Sequence, residues 1–175
     1  MVIHFNKTLQ QALTNINFQE YHELAVHQEE HQVCPIADKK IIDLYGEQMW
    51  AVVDLINNKL TNEGKNSQVF NGKFDLYNWI NHQPDEVAYF LSETGSNCIN
   101  FSEFKAPAKF HLWLGRKGFV IGVEQKGMSF DAEKVNNHRI KDNEGAAFEF
   151  YRNCRSSIFF DNHQETRIVY LEYLF

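Results

Sequence analysis

The stretch Phe110-His111-Leu112-Trp113-Leu114-Gly115-Arg116-Lys117-Gly118-Phe119-Val120-Ile121-Gly122-Val123 decides the fold. Phe110, Leu112 and Leu114 alternate with Lys109, His111 and Trp113, the period of two that gives a half-buried strand its apolar side. Gly115-Arg116-Lys117-Gly118 reads as a turn and Phe119 to Val123 as the returning strand. Outward from this hairpin the period becomes helical. Pro84 and Asp85 form a helix-start signal, a proline for the first turn and an acid suited to the positive end of the dipole. The helix they open runs from Asp85 to about Ile99 and buries Val87, Phe90, Leu91 and Cys98. On the other side of the hairpin, Glu124 to Glu144 reads as a polar, Gly-containing loop region. Gly145 then opens a helix through Ala146, Ala147, Phe150 and Tyr151. Ser157–Phe160 and Arg167–Leu174 are two further strands, joined by the turn Asp161-Asn162-His163-Gln164-Glu165. Each element has one apolar side to bury, so the order predicts an α+β two-layer sandwich, a sheet with helices on one face.

The N-terminal half has a different texture. Val2–Phe5 is a short strand signal, followed by a polar stretch rich in Gln, Glu and His. From Ala37 to Leu60, Ile41, Leu44, Tyr45, Met49, Val52, Ile56 and Leu60 recur at spacings of three and four and make one apolar stripe. Such a stripe faces either the core or a second copy of the chain. Thr61–Gly72 reads as a loop, the best internal boundary, and Phe74–Ile80 as a short helix. Residues 1–84 are therefore expected to be a helical extension that packs on residues 85–175 or dimerises, the whole forming one compact domain.

Composition bounds the function. The chain has 175 residues, of which 43% are hydrophobic and 14% aromatic, enough for a sizeable core. A net charge of −6 argues against unspecific binding to a phosphate backbone, so no nucleic-acid partner is expected. Cys34, Cys98 and Cys154 are three widely spaced cysteines without a CxxC pair, which suggests neither a zinc ribbon nor a disulfide framework. Neither a leader peptide nor an apolar run of membrane-spanning length is legible, and a cytoplasmic protein with no membrane partner is expected.

Three segments carry the chemistry. In Glu93-Thr94-Gly95-Ser96-Asn97-Cys98 the spacing of four places Glu93 and Asn97 on one helix face. Val123-Glu124-Gln125-Lys126-Gly127-Met128-Ser129-Phe130-Asp131 follows a strand, and Gly145-Ala146-Ala147-Phe148 opens a helix, where free amides can hold phosphate. In order and spacing these segments resemble the boxes of the GHKL superfamily of ATP-binding modules, nearest to the anti-sigma-factor serine kinases and histidine-kinase catalytic domains. The resemblance covers about residues 85–175.

It implies a Bergerat-like mixed sheet, ATP and Mg²⁺ as ligands, and a regulatory protein as partner. It implies that Glu93 is the catalytic base and that Asn97 supplies an oxygen to Mg²⁺. Gln125, Gly127, Ser129 and Gly145 fall at the nucleotide-contacting positions. Gln125 stands where the family has an Asp that accepts a bond from the adenine amino group. Ser129 stands where the family has a Gly, and only one glycine is left in the phosphate loop. These departures motivate a second expectation, a pseudo-enzyme that keeps the fold as a protein-interaction module.

Two other patterns compete. His22 and His27 lie five apart, one too many for a shared metal on a helix, whereas His27 and His31 have the right spacing, with Glu23 and Glu30 nearby. Cys98 with His111 suggests a cysteine hydrolase, against the plainer reading of Cys98 as a small core hydrophobe.

Overall fold

The computed structural model describes residues 3–26, 39–62, 86–105, 107–142 and 146–175. Within them the order is α1 (Leu9–Asn15), β1 (Phe18–Ala25), α2 (Lys39–Asn62), α3 (Glu86–Phe101), β2 (Pro107–Gly115), β3 (Gly118–Gln125), α4 (Ala132–Asp142), α5 (Ala146–Asn153), β4 (Ser157–Phe159) and β5 (Ile168–Leu174). The sheet order is β1-β2-β3-β5-β4, and the fold is α+β.

The β2–β3 hairpin is the centre of the sheet. Phe110 pairs with Val123, Leu112 with Ile121 and Leu114 with Phe119, and all six are buried. Directly opposed residues of an antiparallel pair share a face, so these side chains build one apolar layer, extended by Val169 and Leu171 of β5. Onto this layer, the cavity face, pack Tyr45, Val52, Ile56 and Leu60 of α2, Val87, Phe90, Leu91 and Cys98 of α3, and Ala147, Phe148 and Tyr151 of α5. A fully buried Leu or Phe is worth about 1.5–3 kcal/mol over an exposed one. The stripe read in the sequence of α2 is thus core within the chain.

Two details of the sheet differ from the expected mixed sheet with helices on one face. Every strand pair is antiparallel, and the parallel pairing among the described residues is the isolated bridge His4–Phe159. Of the expected strand Val2–Phe5, the described residues 3–5 hold that bridge at His4 and no strand, and Val2 lies outside the described residues. In addition, α1 lies on the opposite face, where Ala12 and Ile16 close over Val120, Phe159 and Tyr170. That face is apolar at β3, β4 and β5, so it too needs a cover. The helix is set by a capping box, Thr8 accepting from Gln11 N at 3.2 Å and Gln11 Oε1 accepting from Thr8 N at 2.9 Å.

Two further elements depart from the sequence reading. The polar stretch after residue 17 holds an edge strand, β1, which pairs with β2 from Glu20–Leu114 to Ala25–Lys109. The region Glu124–Glu144 contains α4, whose start is capped by Asp131 Oδ1 accepting from Lys134 N at 2.9 Å. The boundary Thr61–Gly72 beyond Asn62, the helix Phe74–Ile80 and the start signal Pro84-Asp85 lie outside the described residues.

Candidate functional site

Glu93 and Asn97 sit one turn apart on α3, on the side turned towards α5 and the end of β3. The helix packs tightly enough to place them because of Gly95. A Cβ at Gly95 would come within 2.2 Å of the Tyr45 ring, so only glycine lets α2 approach α3 this closely. Tyr45 then donates its hydroxyl to the Leu91 carbonyl and fixes the contact.

Between α3, α5 and the ends of β3 and β5 lies a cavity of about 600 Å³. Glu93, Asn97 and Gln125 all line it, as does Arg167. Its apolar wall includes Val123, Phe148, Tyr151, Phe160 and Val169. The volume and the mix of aromatic wall with few polar groups suit a drug-sized or nucleotide-sized ligand. Burial raises the Glu93 carboxyl above the usual carboxylate range. Burial holds the Tyr151 phenol well above its ordinary value, and the Asn97 amide acts on it in the opposite direction. Gln125 Nε2 donates to the Met128 carbonyl at 2.9 Å.

The other expected positions fall elsewhere. Gly127 has φ +108, a backbone shape that favours glycine, and a Cβ there would meet Phe104 at 2.8 Å and Glu103 at 3.0 Å. Its glycine is therefore required by its own loop. Neither Gly127 nor Ser129 is among the residues that line the cavity. Gly145 lies outside the described residues. For Mg²⁺, the cavity offers the amide oxygen of Asn97, a hard oxygen that suits a phosphate-bridging ion otherwise completed by water and ligand. Among the described residues no group of three His, Cys, Asp or Glu could hold a metal alone. His27 and His31 lie outside them.

The cysteine-hydrolase reading is corrected. Cys98 is buried on the cavity face and burial pushes its thiol up to about 12, so it is a protonated core residue. His111 projects from the other face of the sheet, opposite Gly122 and Glu23. There it belongs to a network the sequence did not reveal. His111 Nε2 lies 2.8 Å from Glu124 Oε2, and its Nδ1 lies 2.8 Å from Tyr21 Oη. Tyr21 Oη also donates to Glu23 at 3.1 Å, and Glu23 pairs with Lys109 at 3.2 Å. Burial first, then the bond to Glu23, raises the Tyr21 phenol to about 12. The bond to His111 lowers Glu124, and the bonds to Lys109 and then Tyr21 lower Glu23.

The sequence signal missed at the cavity is Arg167. Alternation along β5 assigns residues 167, 169 and 171 to one face, so the arginine was legible as a cavity-face residue. Among the described residues no helix is long and apolar enough to cross a membrane. Comparison with protein families, curated proteins and solved structures finds no match for this chain.

Proposed function

We propose that the cavity binds a purine nucleoside triphosphate with Mg²⁺, and that the chain is a regulatory protein of the serine/threonine-kinase type acting on a protein partner. The observation that supports this reading is the convergence of Glu93, Asn97 and Gln125 on one cavity of about 600 Å³, the first two from α3 and the third from the end of the hairpin that follows it. The aromatic wall of Phe148, Tyr151 and Phe160 suits the faces of a base. Asn97, on the cavity lining, offers an uncharged oxygen to the ion. The ion, when bound, would neutralise charge on the phosphates. Glu93, raised by burial, is suited to take the proton from an acceptor hydroxyl or water. In the Glu93→Ala protein, phosphoryl transfer or nucleotide hydrolysis should fall about a hundredfold or more, the usual share of a general base, while the nucleotide dissociation constant stays within about threefold. An unchanged rate would overturn the assignment of Glu93.

A second reading is favoured by Gly127 and Ser129, which lie off the cavity lining: a module of this fold that engages protein partners without nucleotide. Saturable, Mg²⁺-dependent nucleotide binding would exclude it.

A further inference from the structure

We propose that the mouth of the cavity is the docking surface for the protein partner, and that it takes an extended segment in which acidic residues flank an apolar side chain and a hydroxyl. The inference rests on the partner-binding reading above and names its surface and chemistry; it holds with or without nucleotide in the cavity. Two segments build the mouth. α3 ends at Phe101, which lines the cavity. β3 ends at Gln125, which lines it too and whose side-chain amide donates to the Met128 carbonyl at 2.9 Å. Glu103 Oε2 accepts from Met128 N at 3.2 Å, and the glycine at Gly127 lets the loop close against Phe104. The end of α3 and the loop after β3 therefore form one rim. On it stand the two most exposed large apolar side chains among the described residues, Phe101 at 68% and Met128 at 71%. An apolar side chain exposed singly is ordinary on a protein surface. Two of them held at the edge of one cavity make an anchor site, and aromatic residues and methionine are both enriched at interfaces.

Charge selects the occupant. The whole chain carries −6, yet residues 101–105 and 125–128 hold Lys105 and Lys126 against one acid, Glu103, which is engaged by Met128 N. Lys126 Nζ lies 5.8 Å over the Phe104 ring, and Lys105 Nζ donates to the Asn100 carbonyl, so both cations stand beside the apolar rim. Arg167 adds a third. It is exposed, lines the cavity and lies opposite Gln125, whose backbone N donates to its carbonyl at 2.9 Å. A basic rim on an acidic chain favours an acidic partner over a basic one, and steers its approach. The cavity that opens from this rim is the one lined by Glu93, so a hydroxyl on the docked segment enters the space of the base assigned above.

The test is fluorescence anisotropy of two labelled peptides titrated with the full chain in the absence of nucleotide. One peptide has acidic residues on both sides of a leucine–serine pair; the other has lysines in place of the acids. The acidic peptide should bind about tenfold or more tighter than the basic one, and its binding should weaken several-fold as salt rises from about 0.05 to 0.5 M. Met128→Asp and Lys126→Glu, neither on the cavity lining, should each weaken it about tenfold. Both variants should keep the parent's thermal midpoint and its response to ATP with Mg²⁺. No binding of the acidic peptide at millimolar chain, equal binding of the two peptides, binding that survives in both variants, or tighter binding of oligothymidylate would each overturn the inference, whatever nucleotide does. A midpoint that ignores nucleotide while the peptide preference holds would overturn the nucleotide reading and leave the docking surface standing.

Discussion

At the scale of single residues, the cavity and the Tyr21–His111–Glu124 network belong to opposite faces of one sheet and call for different tests. Glu124 and Glu23 both titrate below their ordinary value of 4.5 in the folded chain, Glu124 chiefly through His111 and Glu23 chiefly through Lys109. A carboxylate lowered by folding contributes stability that is fully present above its unfolded value and is lost as pH falls through the folded one. The thermal midpoint should therefore drop as pH falls below about 4.5, and His111→Gln should flatten that limb by returning Glu124 towards its ordinary value. Midpoints recorded between about pH 3 and 7 for both proteins would check this, and parallel curves would contradict it. Glu93 and Asn97 were legible in the sequence because a spacing of four defines a helix face without knowledge of the partner. The network was not, since Tyr21 and His111 are 90 positions apart and meet only through the β1–β2 register. Arg167 was legible by its alternation with Val169 and Leu171 but carries no spacing signal of its own, and at Gly127 a loop requirement resembles a ligand requirement when only spacing is seen.

Among the elements, those with long regular patterns were read well and those held by local polar chemistry were not. The β2–β3 hairpin and α3 carry their period in full, so their faces followed directly. α4 has little apolar content. Asp131 and the capping bond to Lys134 set its start, a short polar signal that reads as loop by composition. Asp131→Ala should cost about 1 kcal/mol through loss of that cap, seen as a small fall in the denaturation midpoint with unchanged slope; no change would mean that packing alone holds the helix. β1 alternates poorly because most of it is exposed, and a strand that buries little leaves little trace in the sequence. The contact between α2 and α3 depends on Gly95, and Gly95→Ala would push a methyl into the Tyr45 ring. Overpacking of this kind costs about 1–3 kcal/mol, more than the gain of about 1 kcal/mol in helix propensity. The variant should therefore unfold at a lower denaturant concentration than the parent, and a more stable variant would show that α2 can back away freely.

Over the molecule, the larger apolar layer among the described residues lies between the sheet and α2, α3 and α5, and the candidate site opens at one end of that layer. The α+β class was legible from the order of elements in residues 85–175. The edge strand β1 and the two-sided covering were not, because they depend on residues 3–26 returning to the sheet from a distant part of the chain. What the account claims above all is that Glu93, Asn97 and Gln125 converge to bind a nucleotide. The most direct test is the thermal midpoint of the purified chain during titration with purine nucleoside triphosphates, with and without Mg²⁺. Ligand at about a hundredfold excess over its dissociation constant stabilises the folded state by about 2.7 kcal/mol, so a rise of several degrees is predicted, dependent on Mg²⁺ and lost in Asn97→Ala. A flat response at millimolar nucleotide would contradict the account and leave the cavity to another ligand.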